Sequence, residues 1–161
     1  MPEQPCVITH IAGNHVIQLE IRDAAHKPQW IDVAATIDYA RTWTFTEPGW
    51  RRLALGVARD HPYLWSARRL IVLPTTAAEE PAQVDVDEDI LLVFAEDNGW
   101  LIVCETSVRL FEGLTEVSRL ELGDVVVHAR REHDTLRVLD ASARLVDVII
   151  ANDKLVSTPA T

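Results

Sequence analysis

From Ile90 onward apolar and polar residues alternate with a period of two almost without interruption, the pattern of strands with one face buried and one face wet. It predicts strands over Ile90–Ala95, Trp100–Glu105, Val108–Glu112, Val117–Leu122, Val125–Arg130, Leu136–Asp140 and Arg144–Ile150. Between them stand Asp97-Asn98-Gly99, Gly123-Asp124 and His133-Asp134, residues that tolerate or cap tight turns, so consecutive strands are expected to pair antiparallel as a meander.

The meander contains its own duplicate. Asp89–Glu112 lies on Asp124–Asp147 without a gap, and both tails follow L-x-V-x-[ED]-x-S-x-R-L-x-[ED], from Leu101 to Glu112 and from Leu136 to Asp147. Read physically, leucine and valine point inward, the acid closes a strand, and the serine bonds the turn backbone. The Arg and final acid fall on the solvent side. Each copy, with Val117–Leu122 between, amounts to about four strands and looks like a propeller blade. Two copies fall short of the four or so blades a propeller needs, and residues 1–74 show no third copy.

The first half reads differently. Cys6–Ile11 and His15–Ile21 flank Gly13-Asn14 and predict a hairpin. Trp30, Val33, Ala34, Ile37 and Ala40 recur at helical spacing, which predicts a short amphipathic helix over 30–40. A strand or extended connection follows at Thr42–Thr46. Thr46-Glu47-Pro48 has the form of a helix start, with Trp50, Leu53, Ala54 and Val57 as an inner face and Asp60-His61-Pro62 as the stop. Leu70–Leu73 reads as a covered strand, and Thr75–Gln83 as a linker.

The expectation is therefore a single α+β domain over 1–161. An α+β half (1–74) supplies a hairpin and two short helices that cover an antiparallel meander or sandwich at 84–150, with repeats 89–112 and 124–147.

Charge changes the picture only in the second half. Residues 1–73 are nearly balanced, whereas 74–161 hold seven Lys/Arg against eighteen Asp/Glu, so the net charge of −10 belongs to the meander. Such a field repels nucleic acid and anionic membrane and steers basic partners. No apolar run is long enough to span a bilayer, and no leader pattern opens the chain, so a cytoplasmic location is expected. Cys6 and Cys104, both in apolar strand-like runs, fit free thiols in a reducing compartment.

Signatures of chemistry are scarce. His10 with His15, and His128 with His133, lack a third ligand at metal-site spacing. Val84-Asp85-Val86-Asp87-Glu88-Asp89 lacks the glycine and distal glutamate of a calcium loop and reads as an edge strand. There is no GxSxG, HExxH or glycine-rich phosphate loop. No catalytic, cofactor or metal residues are therefore assigned.

What remains suits recognition. The expected function is a non-enzymatic protein-binding module, one concrete form being an acidic inhibitor or immunity-type protein of a bacterial partner with a basic surface. The expected contact residues are the acids Glu96, Asp97, Glu132 and Asp134, together with Trp43, Trp50, Arg51 and Trp65 of the tryptophan- and arginine-rich segment. The alternatives are a structural subunit of a homo- or hetero-oligomer and, third, a small enzyme using histidine and carboxylates.

Overall fold

The computed structural model describes residues 4–48, 53–59, 61–74 and 79–160. Among them are sixteen strands and no helix, arranged as four separate four-stranded antiparallel meanders. The first sheet is β1 (Cys6–Ala12), β2 (His15–Asp23), β3 (Trp30–Ile37) and β4 (Arg41–Pro48). The second is β5 (Ala54–Ala58), β6 (His61–Trp65), β7 (Arg69–Val72) and β8 (Ala82–Asp85). The third is β9 (Ile90–Glu96), β10 (Gly99–Cys104), β11 (Ser107–Glu112) and β12 (Thr115–Glu121). The fourth is β13 (Val126–Glu132), β14 (Thr135–Asp140), β15 (Leu145–Ala151) and β16 (Lys154–Pro159). The chain divides into two units, Met1–Asp85 and Val86–Thr161, each holding two sheets.

The fold class expected from the sequence is corrected: the protein is all-β, and both expected helices are strands. Residues 30–37 form β3, in which Val33, Ala35 and Ile37 are buried and alternate with less buried neighbours. The helical spacing of Trp30, Val33 and Ile37 was one reading of a run that also satisfies a period of two, and pairing with β2 and β4 along its whole length decides for the strand. Thr46-Glu47-Pro48 ends β4 instead of starting a helix, and Ala54–Ala58 is β5, paired with β6. Pro48 and Pro62 are accommodated in strands, against the expectation that they bound a helix. The linker expected at Thr75–Gln83 falls partly outside the described residues, and its last two residues open β8.

Each unit has its own core. In the first, Ile17, Leu19, Val33 and Trp43 pack with Leu64, Ile71 and Leu73. In the second, Leu101, Val103, Val108 and Leu110 of the third sheet meet Val126, Leu136, Val138, Val148 and Leu155 of the fourth. Leu101, Val103, Leu136 and Val138 are thus inward-facing, as the repeat implied, and so is Leu110, whereas its counterpart Leu145 is 38% exposed on the other face of the fourth sheet.

The other repeat residues are placed differently. Ser107 and Arg109 are buried, where the sequence put a turn serine and a solvent-facing arginine. Ser107 Oγ donates to Glu88 Oε2, Thr106 Oγ1 donates to Glu88 Oε1 at 2.6 Å, and Arg109 Nη2 pairs with Asp87 and, at 3.2 Å, with Glu88. In the second copy Ser142 bonds Asp124, while Arg144 Nε donates to Asp140 at 2.9 Å and stays exposed. Both serines therefore latch the corner between two strands to an acid ahead of the first strand of their sheet. In the first copy that acid sits one position earlier, and glutamate's extra methylene makes up the reach.

Cys104 ends β10 with no exposure, and burial pushes its thiol up to about 12, whereas Cys6 in β1 is exposed. One thiol per chain is expected to react with a disulfide reagent near neutral pH, and the second only after denaturant is added. Equal native rates for the two would contradict the core described above.

Candidate functional site

The hairpin turns at one end of the second unit converge on a cavity of about 300 Å³. Tight turns put the side chains there. Asn152 and Asp153 both hold positive φ (50° and 59°), the pair of left-handed residues that a two-residue hairpin turn with the twist of its strands requires. His133 does the same ahead of Asp134 (φ 52°). On the third sheet, Asp97 and Asn98 connect β9 to β10, and Gly113 N–H donates to the Asn98 carbonyl at 2.8 Å, tying that turn to the next one.

Carboxylates of Glu96, Asp97, Glu112, Asp134 and Asp153 line the cavity, against one cation, Arg131, while Leu110, Phe111 and Ile150 supply apolar wall. Arg131 reaches Glu96 at 3.0 Å, and its Nη1 is buried without a hydrogen-bond partner. Burial pushes the Glu96 carboxyl above its ordinary range, Asp97 and Asp134 push it the same way, and Arg131 opposes them. One guanidinium does not neutralise five acids, so the cavity is a focus of negative potential with partial shielding from water. A cation entering it would relieve like-charge repulsion already present. Among the described residues no three His, Cys, Asp or Glu side chains are grouped to hold a metal ion.

Three of the four acids expected from the sequence, Glu96, Asp97 and Asp134, line this cavity together. Glu132 does not; it pairs with Arg130 on the opposite face of the fourth sheet. Arg131, Glu112 and Asp153 were missed. Past the register shift between Val126 and His128, alternation in β13 sends residues 129 and 131 to one face and 130 and 132 to the other, the reverse of what plain parity from Val126 implies.

The aromatic group is dispersed. Trp43 is buried in the first unit's core with Arg41 stacked over it at 4.9 Å, and Trp65 is half-buried against Tyr63, ring centres 6.0 Å apart. Trp50 and Arg51 lie outside the described residues. His15 bonds Asp38 at 2.9 Å and His10 sits opposite Ile17, so these two histidines do not face each other.

No helix is long and apolar enough to cross a membrane among the described residues. No protein-family model matches the sequence, and no curated protein does. Among solved structures, the chain is similar to that of BBS1N in complex with ARL6DN, with a TM-score of 0.55 at 10% identity. The match covers 91% of this chain and 51% of the other, so this chain spans about half the length of that neighbour; at such identity the likeness is one of fold.

Proposed function

We propose that the chain is a non-enzymatic protein-binding module, and that the acid-lined cavity of its second unit receives a lysine or arginine side chain of a basic partner protein. The observation that carries this reading is the cavity itself: five carboxylates around one arginine, with apolar walls to hold an aliphatic stem beneath a charged head. The fold is that of a solved chain whose structure contains a second protein, which supports a protein partner. An inhibitory, immunity-type role toward a bacterial partner is the narrower form of the same reading, told apart by whether the bound partner loses activity.

The test uses fluorescent oligo-arginine and oligo-lysine peptides with an oligo-glutamate control. Affinity for the basic peptides is expected to fall about tenfold between about 50 and 300 mM salt, as screening shortens the reach of the field. Charge reversal by Asp134→Lys should lower it comparably. Because burial raises the Glu96 carboxyl above its ordinary range, acidification should begin to weaken binding before the bulk of the carboxylates are protonated. Salt-independent binding, or binding indifferent to Asp134→Lys, would remove the cavity from consideration.

A further inference from the structure

The two faces that the first and fourth sheets turn away from their cores are built from different residues. On the first sheet, register places Glu20, Ala34 and Thr44 in one row, Gln18, Thr36 and Thr42 in the next, and Arg22, Asp32 and Thr46 in a third. These side chains satisfy one another locally: Thr36 bonds Thr42 at 2.7 Å, and Thr46 donates to Asp32 at 2.7 Å. β1 adds Val7 beside Glu20 and Ile11 beside Val16, 48% and 73% exposed, so the aliphatic side chains of this face stand on its edge strand while its middle is polar.

On the fourth sheet the face opposite the core carries Leu139 beside Leu145, and Ile149 beside Val156. Leu145, Ile149 and Val156 are 38%, 36% and 41% exposed, so large aliphatic side chains stand open on an ordered sheet. Between the two aliphatic rows Arg137 grips Asp147 through two hydrogen bonds, at 2.8 and 3.1 Å. The flanking charges on the same face are Arg130, Glu132 and Lys154, so three cations meet two anions. In a chain of net charge −10 this is a nearly balanced surface.

We infer that the outer face of β13–β16 is a self-association surface that packs against the same face of a second copy. Balance of charge is what selects this occupant. The acidic second halves of two chains repel each other, and they approach at least cost where each presents paired charges between aliphatic rows. A two-fold axis near the Arg137–Asp147 pair sets each arginine beside the other copy's aspartate and leucine and isoleucine rows against each other.

Size fixes the strength. Six-residue strands at 3.3 Å per residue and four strands about 4.8 Å apart give a face of roughly 400 Å² in projection, hence on the order of 1,000 Å² buried in total, the low end for a specific interface. The dimer should therefore be reversible, with half-association at about tens of micromolar.

Sedimentation equilibrium of the full chain from a few to a few hundred micromolar tests this, with circular dichroism confirming that each variant is folded. The expected result is a mass rising from 18.1 kDa toward twice that value. Ile149→Lys and Val156→Glu, both at exposed positions, should each abolish the rise, while Thr44→Lys on the first sheet leaves it unchanged. If one of the two fails to fold, the other carries the test. A monomer throughout, as expected if this face instead serves a different protein, overturns the proposal. So does a dimer that survives both variants. Asp134→Lys, at the cavity of the proposed recognition site, should leave the dimer intact, which keeps this result separate from the peptide-binding one.

Discussion

Replacing Arg109 with leucine is expected to destabilise the protein by about 3–5 kcal/mol, the cost of stranding buried acid after its partner is removed. The side chain is 4% exposed and lies among Asp87, Glu88 and Glu116, while Glu88 is itself only 16% exposed. With leucine in place, Glu88 keeps the hydroxyls of Ser107 and Thr106 but loses its nearer countercharge, and only Arg119, at 3.6 Å and one-third exposed, is left to oppose it. The melting temperature should fall by roughly 6–20 °C, at about 2–4 °C per kcal/mol for a chain of this size. Arg144→Leu changes the equivalent residue of the other repeat. Arg144 is 57% exposed, and although Asp140 is itself buried it keeps the Arg144 backbone N–H at 2.9 Å after the substitution, so the loss expected here is smaller, about 1–2 kcal/mol. Thermal unfolding of both variants decides: equal losses would show that burial is not what gives Arg109 its weight.

Acid separates the two further. In the folded protein burial pushes Glu88 up, but hydrogen bonds from Ser107, Thr106 and Arg109 outweigh it and hold the carboxyl below 4.5. A carboxylate depressed by folding contributes stability that is present above its unfolded pKa and is lost as pH falls through the folded value. Asp87 behaves alike, chiefly through its hydrogen bond to Arg109. The intact protein should thus lose stability on acidification below about pH 4.5. The leucine variant, whose Glu88 has lost the pull of the guanidinium, should lose less, so the gap between the two narrows in acid.

These residues also mark how far the sequence could be read. The duplication showed two four-stranded units because their leucines and valines recur at matching positions and the turns between them carry Asp-Asn-Gly, Gly-Asp or His-Asp. In the first unit the same architecture was hidden by its turns. The β3–β4 hairpin turns at Asp38-Tyr39, both at positive φ (51° and 55°), a geometry for which glycine or asparagine is the usual signal. The turn stands because Asp38 accepts from Val16 N–H at 2.8 Å and bonds His15, contacts distant in sequence. With no visible turn, Trp30–Ala40 read as one element, and its small, β-branched and aromatic residues fitted either period. A helix was the consequence.

At the candidate site, net charge pointed to the right half of the chain and to three of the acids. Which of two adjacent charged residues faces the cavity depends on register, and register is fixed by bulges that composition does not reveal. The pairing of β13 with β14 shifts between Val126 and His128, and that shift sends Arg131 to the cavity and Glu132 to the opposite face.

The close approach of β10 to β11 makes Gly99→Ala the other large expected loss, about 3 kcal/mol or more, since overpacking that only backbone movement can relieve lies at the upper end of such costs. A methyl group at this position would stand 1.8 Å from the Phe111 carbonyl oxygen and 2.7 Å from its carbon. Neither atom belongs to a flexible side chain, so β10 and β11 must separate at the pairing of Gly99 with Glu112. Gly13→Ala is the informative comparison. Nothing lies within 4 Å of a methyl group there, but φ is +59°, so its cost is one of backbone strain, about 1–2 kcal/mol. Asparagine, which tolerates left-handed φ, should recover much of the Gly13 loss and none of the Gly99 loss. The Gly99 substitution should also reach the recognition cavity, because Glu96, Asp97 and Asn98 lead directly into this residue and Phe111 and Glu112 line the opposite side. Even under conditions where the alanine variant stays folded, its affinity for oligo-arginine should fall with its stability, whereas Gly13→Ala should change stability alone. Normal peptide affinity in folded Gly99→Ala would mean that the turn of β9 and β10 does not shape the site.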